Sequence, residues 1–143
     1  MKRLHSLVLT STFLLLYVTQ VGFSSPFVIN APFDEITVHI RNQISPESVL
    51  YLHCRSKDDD LGVHYIYFDQ EFHWHFRVNL WGTTLFWCNL SSPAPSGQPK
   101  NGSLVVFDAE HPICSEDCIY RVEFPGVCLV NQEKQTCEEI IKW

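Results

Sequence analysis

Apolar and polar side chains alternate with a period of two along much of this chain, and helical periodicity hardly appears. In Thr37-Val38-His39-Ile40-Arg41 the apolar positions share one face. Leu50, Leu52 and Cys54 do the same, with Tyr51 and His53 opposite. Phe72, Trp74, Phe76 and Val78 form the strongest inward stripe, while His73, His75 and Arg77 point the other way. Thr84, Phe86 and Cys88 alternate with Leu85 and Trp87, so that run is apolar on both sides. Residues 104–107 are continuously apolar and predict a central strand. Cys118, Tyr120, Val122 and Phe124 alternate with Ile119, Arg121 and Glu123, and residues 126–130 suggest a last short strand. Ser45-Pro46-Glu47, Asp58-Asp59-Asp60-Leu61-Gly62, Leu80-Trp81-Gly82 and Pro125-Gly126 break the runs. Seven or eight short strands with this spacing predict an all-β protein, an antiparallel β-sandwich. Phe72, Trp74, Phe76, Trp81 and Phe86 are its expected core.

The first residues read as targeting rather than fold. Lys2 and Arg3 precede an uncharged, mostly apolar run over residues 7–21, and Gly22 and Ser24 are small and two apart. Residues 1–24 are therefore expected to be a cleaved secretory signal, since a retained anchor needs roughly 20 apolar residues. Residues 25–143 then form one domain. This leaves 119 of the 143 residues, with 8 basic against 16 acidic side chains, a net charge of −8 once Lys2 and Arg3 are removed. Such acidity opposes binding to nucleic acid phosphates and to anionic lipid. The expected product is secreted, extracellular, not inserted in a membrane, and monomeric.

Six cysteines lie in the mature part: Cys54, Cys88, Cys114, Cys118, Cys128 and Cys137. An even count behind a signal segment predicts a disulfide framework that stabilises the fold. A zinc site is the rival, but no Cys-x-x-Cys knuckle is present. Strand parity turns Cys54, Cys88 and Cys118 inward, where bridges could tie strands across the core. The pairing stays open, with the short Cys114–Cys118 loop expected not to close on itself.

Residues 89–103 break the alternation. Ser91-Ser92-Pro93-Ala94-Pro95-Ser96-Gly97 and Pro99 predict a long exposed loop rather than a strand ladder. Two sequons bracket it, Asn89-Leu90-Ser91 and Asn101-Gly102-Ser103, and both asparagines are candidate N-glycan acceptors.

The remaining chemistry is sparse. His73 and His75 leave the same strand face at a spacing compatible with a zinc pair, with His64 and Asp69 nearby but no third ligand assignable. They read more simply as a polar outer face. Asp58-Asp59-Asp60 could attract calcium, yet the spaced acids and terminal Glu of an EF-hand loop are missing. A turn whose Asp side chains satisfy local backbone donors explains it better. There is no Gly-x-Ser-x-Gly elbow or phosphate loop, and Glu138-Glu139 sits in a polar tail. The sequence therefore predicts no enzyme, no cofactor and no bound metal.

An ordered set of short motifs carries more information than any one of them. Cys54, the acidic turn closed by Leu61-Gly62, the strand Phe72-His73-Trp74-His75-Phe76 and the turn Trp81-Gly82-Thr83-Thr84 follow one another, and Cys114-x-x-x-Cys118-Ile119-Tyr120 and Gly126-Val127-Cys128-Leu129 come later. This set resembles the plant self-incompatibility S1 family. The resemblance implies a β-sandwich and a small secreted plant ligand; in founding members a stigma protein triggers rejection of self pollen. Tyr120 stands where that family often has Trp, and the Pro/Ser segment replaces a stretch that is often aromatic and glycine-rich.

The expected function is recognition. A cell-surface receptor or another extracellular protein would be the partner, met through exposed loops. The candidate loops are Lys57, Asp58, Asp59 and Asp60; Asp69, Gln70 and Glu71; and residues 91–100. A secreted defence protein or enzyme inhibitor is the alternative, and a small metal enzyme built on His73 and His75 is a more distant one.

Overall fold

The computed structural model describes residues 35–93 and 97–142, apart from the side chain of Glu139. The expected signal over 1–24, residues 94–96 of the Pro/Ser segment and the closing Trp143 lie outside the described residues. Where β-branched and aromatic residues alternate with polar ones, the chain forms strands. They are β1 (Glu35–Asn42), β2 (Leu50–Arg55), β3 (Asp60–Ile66), β4 (Glu71–Arg77), β5 (Leu85–Pro93), β6 (Pro99–Asp108), β7 (Asp117–Val122), β8 (Gly126–Asn131) and β9 (Thr136–Lys142). Two sheets result, one in the order β4-β1-β7-β8-β9 and one in the order β3-β2-β5-β6. Every pairing is antiparallel except β1 with β7. The expected β-sandwich is therefore present, with nine strands rather than seven or eight.

The inward faces meet as the alternation requires. Ile36, Val38 and Ile40 of β1, Leu50, Leu52 and Cys54 of β2, and Cys118, Tyr120 and Val122 of β7 are all buried. Phe72, Trp74 and Phe76 of β4 face the other sheet. Phe76 sits with its ring centroid 4.4 Å from Phe86 and 5.0 Å from Phe107, and Trp74 lies 5.8 Å from Phe86. Burying such rings contributes about 1.5–3 kcal/mol each relative to exposure. Tyr120 adds a polar tie between the sheets, since its hydroxyl donates to the Val106 carbonyl at 2.8 Å while its side chain is fully buried.

Asn42 ends β1 as a buried but satisfied amide. It donates to the carbonyls of Ser48 and Ile66 at 3.0 and 2.9 Å and accepts from the Ile44 N–H at 3.0 Å. One side chain thereby fixes where β1 ends, how the next turn begins and where β3 finishes.

Four expectations are corrected. First, Trp81 is not core: it is 86% exposed, because β4 ends at Arg77 and the inward parity stops there. Second, residues 89–103 are not a long loop. β5 and β6 stay paired as far as Pro93 opposite Pro99. The prolines are tolerated because one closes its strand and the other opens an edge strand, where a missing N–H breaks no central ladder. Third, residues 104–107 belong to that edge strand rather than a central one, with Val105 outward and exposed.

The fourth correction concerns the disulfides. The pairs are Cys54–Cys88, Cys114–Cys118 and Cys128–Cys137. Cys54 and Cys88 are register partners on β2 and β5, and Cys128 and Cys137 join neighbours β8 and β9, so neither bridge crosses between the sheets. Cys114 and Cys118 do close on one another. The chain bends before β7 and brings their Cα atoms to 5.5 Å, within the span a disulfide bridges.

Candidate functional site

Strand direction decides which loops can act together. Each strand runs opposite to its predecessor, so the connections alternate between the two ends of the sandwich. The turns β2–β3, β4–β5, β6–β7 and β8–β9 share one end. The turns β1–β2, β3–β4, β5–β6 and β7–β8 share the other. Lys57, Asp58 and Asp59 therefore stand at the end that carries Leu80 and Trp81. Asp69, Gln70 and the paired Pro93 and Pro99 that end β5 and begin β6 stand at the opposite end. The three candidate loops do not make one surface.

At the first end, the β4–β5 turn is tightly held. The Gly82 N–H donates to the Asn79 carbonyl at 3.0 Å, and the Thr83 N–H donates to the Asn79 side-chain oxygen at 2.9 Å. The Asn79 N–H donates to the Thr84 hydroxyl at 2.9 Å, while the Asn79 amide donates to the Thr83 hydroxyl at 3.1 Å. Gly82 has φ 63°, a left-handed conformation that glycine adopts without strain. This network leaves Leu80 and Trp81 projecting, 67% and 86% exposed. A Trp held in water on a rigid turn gains nothing for the fold and loses little entropy when something covers it.

The acidic turn at the same end is built as a turn. The Ser56 hydroxyl accepts from the Asp59 N–H at 3.0 Å and from the Asp58 N–H at 3.3 Å. Asp60 opens β3 rather than lying in the loop; its carboxylate accepts from His53 at 2.6 Å and from the Gly62 N–H at 2.9 Å. These bonds hold the Asp60 carboxyl below the usual aspartate range. Lys57, Asp58 and Asp59 stay exposed.

At the other end, Gln43 donates to Asp69 at 2.6 Å, and Asp69 adopts φ 62°. Glu71 opens β4 and turns to the outer face of the five-stranded sheet. There it accepts from the Arg41 guanidinium at 3.2 Å through Oε2 and from His39 Nδ1 at 3.2 Å through Oε1. Partial burial raises the Glu71 carboxyl, but the hydrogen bonds and charges of His39 and Arg41 outweigh it and hold the group below its ordinary value. His73 Nδ1 lies 3.8 Å from the same Oε1, and the His39 and His73 rings stack at 5.5 Å. His73 and His75 do share the outward face, as expected, but the structure groups His73 with His39 and Glu71 and leaves His75 out. His39 was missed because only the antiparallel pairing of β1 with β4 sets it opposite His73, and nothing local in the sequence declares that pairing.

The two sequons also come together. Asn89 is the register partner of Ser103, and Asn101 of Ser91, with both asparagines exposed on the outer face of the β5–β6 hairpin.

The comparisons with known proteins follow this architecture. The model of the plant self-incompatibility protein S1 family matches residues 37–143. The chain belongs to the S1 family. S-protein homolog 5 of Arabidopsis thaliana is 34% identical over 104 residues, covering 71% of this chain and 77% of that protein. S-protein homolog 27 of the same plant is 28% identical over 141 residues, covering 98% of this chain and 88% of its own length. Among solved structures, an SPH (Self-Incompatibility Protein Homologue) structure aligns with TM-score 0.51 at 20% identity, covering 78% of this chain and 91% of the other, and it supports the fold. The SPH proteins are described with it as a widespread family of small, highly stable, secreted proteins from plants. In this S1-family member, the motif Trp81-Gly82-Thr83-Thr84 is the pinned turn, and the acidic motif is a turn at the same end. No helix among the described residues is long and apolar enough to cross a membrane.

Proposed function

We propose that this protein is a secreted ligand that binds a protein partner at the plant cell surface through the end of the sandwich carrying Leu80 and Trp81. The observation that carries this reading is Trp81, 86% exposed on a turn fixed by four hydrogen bonds to or from Asn79. Interface energy concentrates in such aromatic anchors when a partner pocket desolvates them. Lys57, Asp58 and Asp59 supply charge at the same end, where a rim governs association rate and partner choice.

Secretion is supported by the uncharged, mostly apolar run over residues 7–21, by six cysteines all paired, and by relatives described as secreted. Asn89 and Asn101 fit as glycan acceptors on an outer strand face, which leaves the Leu80–Trp81 end uncovered. A binding role suits the site better than catalysis, because the end loops present anchors and rim charges rather than an activated nucleophile with its base.

Saturable binding of the labelled protein to membranes from plant reproductive and vegetative tissue tests the proposal, with reduced and alkylated protein as control. Binding that saturates and is lost on reduction is the expected result. Failure to saturate in every tissue, with inhibition of a secreted hydrolase instead, would replace the ligand by an inhibitor.

A further inference from the structure

The outer face of the five-stranded sheet carries a second arrangement, on the sheet wall away from Trp81. His39 of β1 and His73 of β4 are register partners, so their side chains leave the sheet side by side. Both direct Nδ1 at one oxygen, Oε1 of Glu71, at 3.2 and 3.8 Å. Arg41 occupies the other oxygen, Oε2, at 3.2 Å and so holds the carboxylate with Oε1 toward the imidazoles. On the far side of the His39 ring, Asp117 of β7 places a carboxylate oxygen 3.8 Å from Nε2.

We infer that His39, Glu71 and His73 form a binding site for a divalent transition metal ion of the zinc class. Two imidazole nitrogens and one carboxylate oxygen are the donor set that borderline ions such as Zn2+ prefer. The three ligand atoms lie within 4.8 Å of one another, so small side-chain rotations bring them to a common centre. Because a carboxylate only accepts, His39 Nδ1 carries the proton in the metal-free protein. To ligate an ion through Nδ1 the neutral ring carries its single proton on Nε2 instead, the nitrogen that faces Asp117. Asp117 then acts on the ring from behind, as outer carboxylates do at histidine–metal sites, fixing which nitrogen faces the ion. Three protein ligands leave a coordination position for water or for a donor from outside the chain. The other convergent group among the described residues, Glu123 with Cys128 and Cys137, differs in kind: its sulfurs are joined to each other.

The test is calorimetric titration of the purified, untagged secreted protein with ZnCl2 in a non-chelating buffer. Cobalt(II) absorption provides a readout of the ligand set. One equivalent of Zn2+ is expected. His39→Ala, His73→Ala and Glu71→Gln should each weaken it at least about tenfold, and Asp117→Asn, an outer-shell change, by about tenfold. His75→Ala and His111→Ala should leave it unchanged, although both are exposed histidines. His73 is exposed, so metal-free His73→Ala is expected to melt like the wild type and separates lost binding from lost folding, whereas His39→Ala and Glu71→Gln also remove the Glu71 contacts and should melt somewhat lower while remaining folded. No stoichiometric uptake would overturn the inference. So would uptake lost equally in the His75 or His111 variants, or retained when His39 and His73 are both replaced.

Discussion

Tyr120 links the two layers at the scale of one atom. Its hydroxyl, buried where water cannot substitute, meets the Val106 carbonyl of the opposite sheet at 2.8 Å, and burial pushes its ionisation well above the usual tyrosine range. Tyr120→Phe removes the donor and leaves that carbonyl unsatisfied, which should cost about 1–3 kcal/mol in denaturant unfolding at nearly unchanged m-value. Asp60 offers a test by pH. Hydrogen bonds from His53 and the Gly62 N–H lower its folded pKa beneath the ordinary 3.8, so the unfolded chain binds that proton more readily. The resulting stability is present above about pH 4 and lost as pH falls through the folded value. Melting temperatures between about pH 5 and pH 2 should therefore fall more steeply in the wild type than in Asp60→Asn; parallel curves would contradict the assignment.

Among the elements, β1, β2, β4 and β7 were legible because each buries one face and wets the other, and their alternation shows that directly. The strands that the pattern missed, β3 and β9, are both sheet edges. β3 exposes Val63 and Tyr65 and turns His64 toward Phe72, with ring centroids 3.7 Å apart, which inverts the usual reading of polar and apolar. β9 carries Glu138, Glu139 and Lys142, as edge strands tolerate. The inward cysteines were legible too, but their partners were not, since pairing follows strand order rather than parity. The disulfides should differ in worth. On loop-closure entropy, Cys54–Cys88, separated by 34 residues, contributes about 4 kcal/mol, and Cys114–Cys118, separated by 4, about 2 kcal/mol. Replacing each pair by Ala and measuring unfolding free energy should give that order, with the buried Cys54–Cys88 pair enlarged further by the cavity it leaves.

For the whole molecule, alternating strand direction gathers four turns at one end and divides the candidate loops named from the sequence between the two ends. Residues 57–59 fall at the same end as Trp81, whereas Asp69, Gln70 and the paired Pro93 and Pro99 fall at the far end. The Trp-Gly-Thr-Thr motif was visible in the sequence, but its Trp read as core because an aromatic after an aromatic strand invites that reading. Only the position of the strand end at Arg77 turns it outward. The account then rests on that side chain. The decisive measurement compares Trp81→Ala with wild type in saturable binding to plant membranes, using Tyr65→Ser, another exposed aromatic change, as control. Trp81→Ala should bind at least about tenfold more weakly, a loss of at least about 1.4 kcal/mol, while melting like the wild type and like the control. Unchanged binding by Trp81→Ala, in a protein that binds saturably, would contradict the assignment of this end as the recognition surface.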